Sequence, residues 1–221
     1  ACVAAIAGLW LVTLQRIAFE REQVVEAAVR SNANLAIAYE EQVFRTLKAA
    51  EQVAAFVREE YLRLGPGIPL RAWVERGVIR EKQFTIVSVV NEVGDIVASS
   101  SGSPNAGRTN YADRPFFQVQ RDTQQDRLFV NPPVLGRLSG QWQIPMSLRV
   151  TRADGSFAGV VVLSVDPASL TGAYHHNDLG DQALLELAGL DGVVRAREAN
   201  GHIGANARAL PWFQRQQQAA Q

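Results

Sequence analysis

Apolar and aromatic positions fall at Ala36, Tyr39, Val43, Leu47, Ala50, Ala54, Val57 and Tyr61, in steps of three and four residues. That spacing puts them on one stripe of an α-helix. Glu40, Glu41, Arg45, Lys48, Glu51 and Arg58 lie off the stripe, and neither Gly nor Pro occurs between Gln15 and Arg63. The pattern predicts a long amphipathic helix over 15–63, with Ser31-Asn32 as a candidate kink. Gly65-Pro66-Gly67 is its stop signal. So long a stripe is expected to form a dimer seam, with Leu47 and Ala54 within it.

Beyond Gly67 the period changes. A short helix is expected near 71–75. Phe84-Thr85-Ile86-Val87-Ser88-Val89-Val90 is rich in β-branched residues and reads as a strand, with a turn over 91–95 and a return strand over 96–99. Serines, glycines, Pro104 and asparagines make 100–110 a loop. A helix is expected over 111–122, with Pro115 tolerated in its first turn. Further strands are read at 128–130, 142–151 and 157–165, with turns at 136–140 and 153–155. The result is strand-strand-helix-strand-strand-strand, an antiparallel five-stranded sheet with a helical connection. Asp166-Pro167 ends it, and a short helix over 167–173 leads away.

Part of this pattern occurs twice. Pro115-Phe116-Phe117-Gln118 returns as Pro211-Trp212-Phe213-Gln214, and the hairpin around Gly94 returns around Gly192. A near-constant offset across a hairpin and a helix indicates one supersecondary unit built twice. Strands are therefore expected again over 183–190 and 193–198, in a second unit that is incomplete by Gln221.

Composition narrows the function. Lys plus Arg and Asp plus Glu both total 22 in 221 residues, which leaves no basic excess for a nucleic-acid partner. Cys2 is the single cysteine, so an intrachain disulfide or thiolate cluster is excluded. Residues 1–14 carry no charge, and Trp10 and Arg16 mark an exit into water. The run reads as the end of a transmembrane helix, with the apolar region of a signal peptide as the alternative.

With these elements in place the chain resembles the extracellular double Cache sensor domains of bacterial receptors, which include diguanylate cyclases, histidine kinases and chemoreceptors. The resemblance covers most of the chain after Gln15. Its local basis is Tyr111-Ala112-Asp113-Arg114-Pro115-Phe116-Phe117, similar to the family's Arg-x-aromatic-aromatic helix. Ser139-Gly140-Gln141-Trp142-Gln143-Ile144-Pro145-Met146-Ser147 resembles the hairpin that follows, and 159–170 resembles the last strand and exit. The likeness is greatest to sensors attached to diguanylate cyclases. It implies an α+β fold with a long N-terminal helix, a PAS-like five-stranded antiparallel module and the start of a second, truncated PAS-like module. It also implies four regions: 1–14 as the end of the membrane helix, 15–63 as the long helix, 64–173 as a membrane-distal ligand-binding module, and 174–221 as the start of a membrane-proximal one.

Arg114 is the leading candidate for ligand contact, because a planar guanidinium grips a carboxylate with two parallel hydrogen bonds. A structural ion pair with Asp113 or Asp166 is the alternative. The resemblance adds Phe116, Phe117, Trp142 and Asp166, the last where amino-acid-binding Cache domains receive the ligand's amino group. Capping of the following helix is the other reading of Asp166. Either Phe also serves as plain core, and Trp142 also as a cover for the sheet. Phe116, Phe117 and Thr109 stand where amino-acid sensors carry Trp, Tyr and Tyr. Arg137 is read as outside the pocket. Leu210 occupies the place of Arg114 in the second copy, so ligand binding is assigned to the first module.

These readings make the region a non-catalytic periplasmic sensor on the inner membrane. A homodimer is expected, taking a small amino-acid or organic-acid ligand, with no cofactor, metal or nucleic acid. A dimerisation module that binds nothing is the rival. A hydrolase reading of Gly136-Arg137-Leu138-Ser139-Gly140 fails on motif spacing and on the lack of a strand-to-helix context. His175, His176 and Asp178 are too few for a metal site.

Overall fold

The computed structural model describes residues 2–79, 84–103, 106–171, 184–197 and 203–219. His175, His176 and Asp178 lie outside them. Helix α1 (Cys2–Leu64) runs without a break. Ser31 and Asn32, both exposed, lie inside it without interrupting it. No helix among the described residues is long and apolar enough to cross a membrane.

The chain divides into two units, Ala1–Arg45 and Thr46–Gln221. The described part of the first is helix alone. In the second, the last turns of α1 give way to a 3₁₀ turn (Gly65–Gly67) and α2 (Leu70–Glu75). Gly65 has φ 70°, a left-handed conformation that glycine adopts without strain. Strands β1 (Ile86–Asn91) and β2 (Ile96–Ser99) follow, then helix α3 (Pro115–Asp122). Four more strands come next: β3 (Phe129–Val130), β4 (Val134–Leu135), β5 (Trp142–Thr151) and β6 (Phe157–Val165). The sheet is antiparallel in the order β2-β1-β6-β5-β3, with β4 also on β5. Strand β4 was not expected. Two residues between Pro133 and Gly136 are too few to show a period.

Alternation along the long strands gives the sheet two different faces. Val87 and Val89 of β1, Val161, Leu163 and Val165 of β6, and Ile144, Met146 and Leu148 of β5 form one core with Ala50, Ala54 and Val57 of α1. The two alanines are fully buried, and their small size lets the helix backbone approach the strands. The helix stripe from Leu47 onward is therefore spent on the protein's own sheet. This corrects the expected place of Leu47 and Ala54 in a dimer seam: Leu47 packs against that core and Ala54 lies within it.

The opposite face carries α3. Phe116 and Phe117 meet Val90, Ile96, Val160 and Val162, and the Phe117 ring stands edge-on to Phe157 at 5.5 Å. Two buried polar side chains tie the helix to β5. Gln120 Nε2 donates to the Ser147 carbonyl at 2.7 Å, and Arg149 Nη1 donates to the carbonyls of Gln120 and Arg121 at 2.6 and 3.1 Å.

After α4 (Pro167–Thr171) comes a second, two-stranded sheet of β7 (Glu186–Ala188) and β8 (Val194–Arg197), and then α5 (Pro211–Ala219). The repeat read from sequence has matching geometry. Strand β1 pairs with β2 with a register shift between Val89 and Val90, and β7 pairs with β8 with one between Leu187 and Ala188. Tyr111 N donates to Gly94 O, as Ala207 N donates to Gly192 O. Asn110 Oδ1 accepts from Ala112 N, as Asn206 Oδ1 accepts from Arg208 N.

Candidate functional site

Between the start of α3, the β4 hairpin and the α3-side face of the sheet lies a cavity. Its floor is cut from three strands: Ile86 and Ser88 of β1, Val162 and Ser164 of β6, Gln143 and Pro145 of β5. Register brings these together, since Ile86 stands opposite Ser164, and Ser164 opposite Pro145. Tyr111, Arg114 and Phe116 form one wall, and Val134, Leu135, Gly136 and Arg137 form the other. About 20 Å³ is open to the centre of a water-sized sphere, room for about one water.

Arg114 is the N-cap residue of α3, in extended conformation with φ −83° and ψ 139°, and Pro115 follows at the first helical position. Pro115 has no N–H to satisfy and favours this extended residue before it. The Arg114 carbonyl accepts from Phe117 N and Gln118 N, while its side chain makes no cap bond. Its Nη2 donates to Leu135 O at 3.3 Å. Its Nε is buried without a partner.

The expected alternative, an ion pair for Arg114, finds its acids engaged elsewhere. Asp113 receives two parallel hydrogen bonds from Arg137, at 2.8 and 2.6 Å. These hold the Asp113 carboxyl below its usual range and raise the guanidinium in turn. Asp166 is exposed, and its Oδ1 accepts from Ala168 N at 3.0 Å, the capping geometry of α4.

Of the five sequence candidates, the cavity brings together Arg114 and Phe116. Phe117 is 1% exposed and lies within the α3-side core. Trp142 is 50% exposed on the outer end of β5, opposite Leu135. Neither Phe117, Trp142 nor Asp166 lines the cavity. Arg137, expected outside the pocket, is one of its walls. Besides Asp113 it bonds the Asn110 carbonyl at 2.7 Å and lies 6.0 Å from the centre of the Tyr111 ring. Arg137 thereby latches the β4 hairpin to the segment before α3. Burial raises the Tyr111 phenol, and the two guanidinium groups oppose that rise. The segment 136–140, whose hydrolase reading fails on spacing, is the β4–β5 turn, in which Ser139 Oγ accepts from Gln141 N.

Sequence reasoning also missed Ser88, Ser164 and Gln143. Ser88 and Ser164 interrupt otherwise apolar strands on the face turned toward α3, and Ser88 Oγ bonds Ser99 Oγ at 2.9 Å. A single polar residue at the right parity of a buried strand is the signal that marks such a floor.

The chain matches no family model and no curated protein. Solved structures resemble it. The extracellular domain of rpHK1S-Z16 is 23% identical over 82% of this chain and 75% of that one, with a TM-score of 0.72. The ligand-binding domain of the Pseudomonas fluorescens chemoreceptor CtaA in complex with L-alanine is 12% identical over 77% and 72%, at 0.60. The ligand-binding domain of Mlp24 with asparagine is 18% identical over 87% and 78%, at 0.59. At such identities the likeness establishes the fold: a long helix, an antiparallel sheet and a small second sheet, as in these extracellular and ligand-binding domains.

Proposed function

We propose that this chain is the extracytoplasmic sensing region of a membrane-anchored bacterial receptor, and that it binds a small carboxylate-bearing molecule, of the amino-acid or organic-acid class, against Arg114. The observation that carries this reading is a guanidinium on a cavity wall whose Nε is buried without a partner, beside an acid already taken by Arg137. An unpaired buried donor is costly, and a carboxylate relieves that cost with a charge-assisted bond. The ligands named for CtaA and Mlp24, L-alanine and asparagine, support the class.

In this account residues 1–14 are the end of an inner-membrane helix, the receptor is a homodimer, and a cytoplasmic output domain such as a diguanylate cyclase follows. Ligand entry displaces the Leu135 carbonyl from Arg114 and shifts the hairpin between two states. A difference of about 1–3 kcal/mol between those states is enough for signalling. The narrow room between the walls favours a second reading, a dimerisation module that binds nothing.

Thermal unfolding against a panel of small carboxylates separates the two. A carboxylate should raise the melting temperature of the wild type and of Arg71→Ala, on the far-side pair with Glu75, and leave Arg114→Ala unmoved. Stabilisation by a cationic amine, or equal stabilisation of Arg114→Ala, contradicts the reading.

A further inference from the structure

Two polar atoms of the cavity residues are buried without a partner, and they have opposite needs. Arg114 Nε is a donor and requires an acceptor; Gln143 Oε1 is an acceptor and requires a donor. Gln143 is 8% exposed, on β5 opposite Val134 of the latched hairpin, so the side chain is held away from solvent. It lies on a different element from Arg114, and the cavity lies between them. A molecule that satisfies both sides carries an acceptor and a donor on a short frame.

The charge of the wall decides what kind of donor fits. Among the described residues, the lining contains the guanidinium groups of Arg114 and Arg137, the Tyr111 phenol, two serine hydroxyls and the Gln143 amide, and it contains no carboxylate. An ammonium group here would lose its hydration beside two guanidinium groups, of which only that of Arg137 has a carboxylate partner, with only neutral oxygens to receive it. A hydroxyl offers the same hydrogen bond without carrying a charge into the wall. We infer that Gln143 is the specificity-determining residue of this cavity, accepting a hydrogen bond from a neutral hydroxyl, and that the ligand class is a short hydroxy carboxylate rather than an amino acid. The inference rests on the carboxylate reading given above and narrows it.

Calorimetric titration with matched sets tests it: lactate, alanine and propionate for one carboxylate, and malate, aspartate and succinate for two. Within a set the members differ only in a hydroxyl, an ammonium or a hydrogen on one carbon. The wild type should bind a hydroxy acid about tenfold or more tighter than its matched partners. Gln143→Leu should bind the hydroxy and unsubstituted acids alike, and Gln143→Glu should favour the amino acid, because a carboxylate then faces the ammonium. Wild-type preference for the amino acid overturns the inference and leaves the Arg114 site standing. Succinate binding more tightly than malate also overturns it, because the hydroxyl then finds no partner that offsets its lost hydration. An undiminished hydroxyl preference in Gln143→Leu removes Gln143 from the role. Failure of every member to bind the wild type overturns the carboxylate reading and this inference together.

Discussion

Replacing Arg149 with leucine should loosen the helix that carries Arg114. Arg149 is 7% exposed and reaches from β5 to the last turn of α3, donating to Gln120 O, Arg121 O and, through Nε, to Thr151 Oγ1 at 3.2 Å. Its guanidinium lies 4.8 Å over the Phe157 ring. The carbonyls it binds belong to the C-terminal turn, which has no intrahelical donors and carries the negative end of the helix dipole. Each charge-assisted bond contributes about 1.5–3 kcal/mol, and the ring contact adds about 1 kcal/mol. Leucine returns about 1–2 kcal/mol by apolar burial. The net loss is about 3 kcal/mol or more, a large part of the ~5–15 kcal/mol that holds a domain folded. Urea denaturation should show a lower midpoint with an unchanged slope, and Arg149→Lys should recover part of the loss by keeping the charge near the carbonyls. Ligand affinity should fall with it, since Arg114 caps the same helix. A loss below about 1 kcal/mol for Arg149→Leu, with α3 amides still protected from exchange, refutes the reasoning.

Three further outcomes follow from the packing. Ala54→Glu should unfold the second unit or cost about 3 kcal/mol or more in urea denaturation, because it puts an unpaired charge between α1 and the sheet; an unchanged midpoint would remove α1 from the core. Gly159→Ala should be similarly severe, since φ is 134° and a Cβ would strike the Val90 carbonyl and lie 3.0 Å from the Asn91 backbone; a stability within about 0.5 kcal/mol of wild type contradicts this β1–β6 geometry. Asp113 is depressed by Arg137, so its contribution is present above the unfolded carboxyl value of 3.8 and is lost as pH falls through the lower folded value. The stability difference between wild type and Asp113→Asn should therefore shrink only in that acidic window, and a difference that vanishes near neutrality argues against the latch.

What the sequence made legible was local. The three-four spacing from Ala36 to Tyr61 specifies a helix with one apolar face, but periodicity is silent on what covers that face. From Leu47 onward the cover is the sheet. The repeat was readable because Gly94 and Gly192, and Pro115 and Pro211, set backbone geometry by themselves, and the two hairpins duly share a register shift. Arg114 was readable through the Arg-x-aromatic-aromatic likeness, but the helix was expected from 111 and begins at Pro115, which makes Arg114 its N-cap residue. Arg137 was misplaced because its partner Asp113 lies 24 residues earlier, a pairing that depends on where the β4 hairpin folds back. Gln143 and Ser164 were overlooked for a related reason. Their meaning comes from the registers of β5 and β6, which set their rows across the sheet.

The central claim is that a small carboxylate sits between the start of α3 and β5, and a crystal structure with the tightest-binding acid of the panel tests it most directly. The account predicts the ligand carboxylate on the Arg114 guanidinium, its second polar group toward Gln143, and the β4 hairpin displaced outward with Leu135 O no longer bonded to Arg114. A ligand bound elsewhere on the chain, or one inside the cavity with its carboxylate turned away from Arg114, would contradict it.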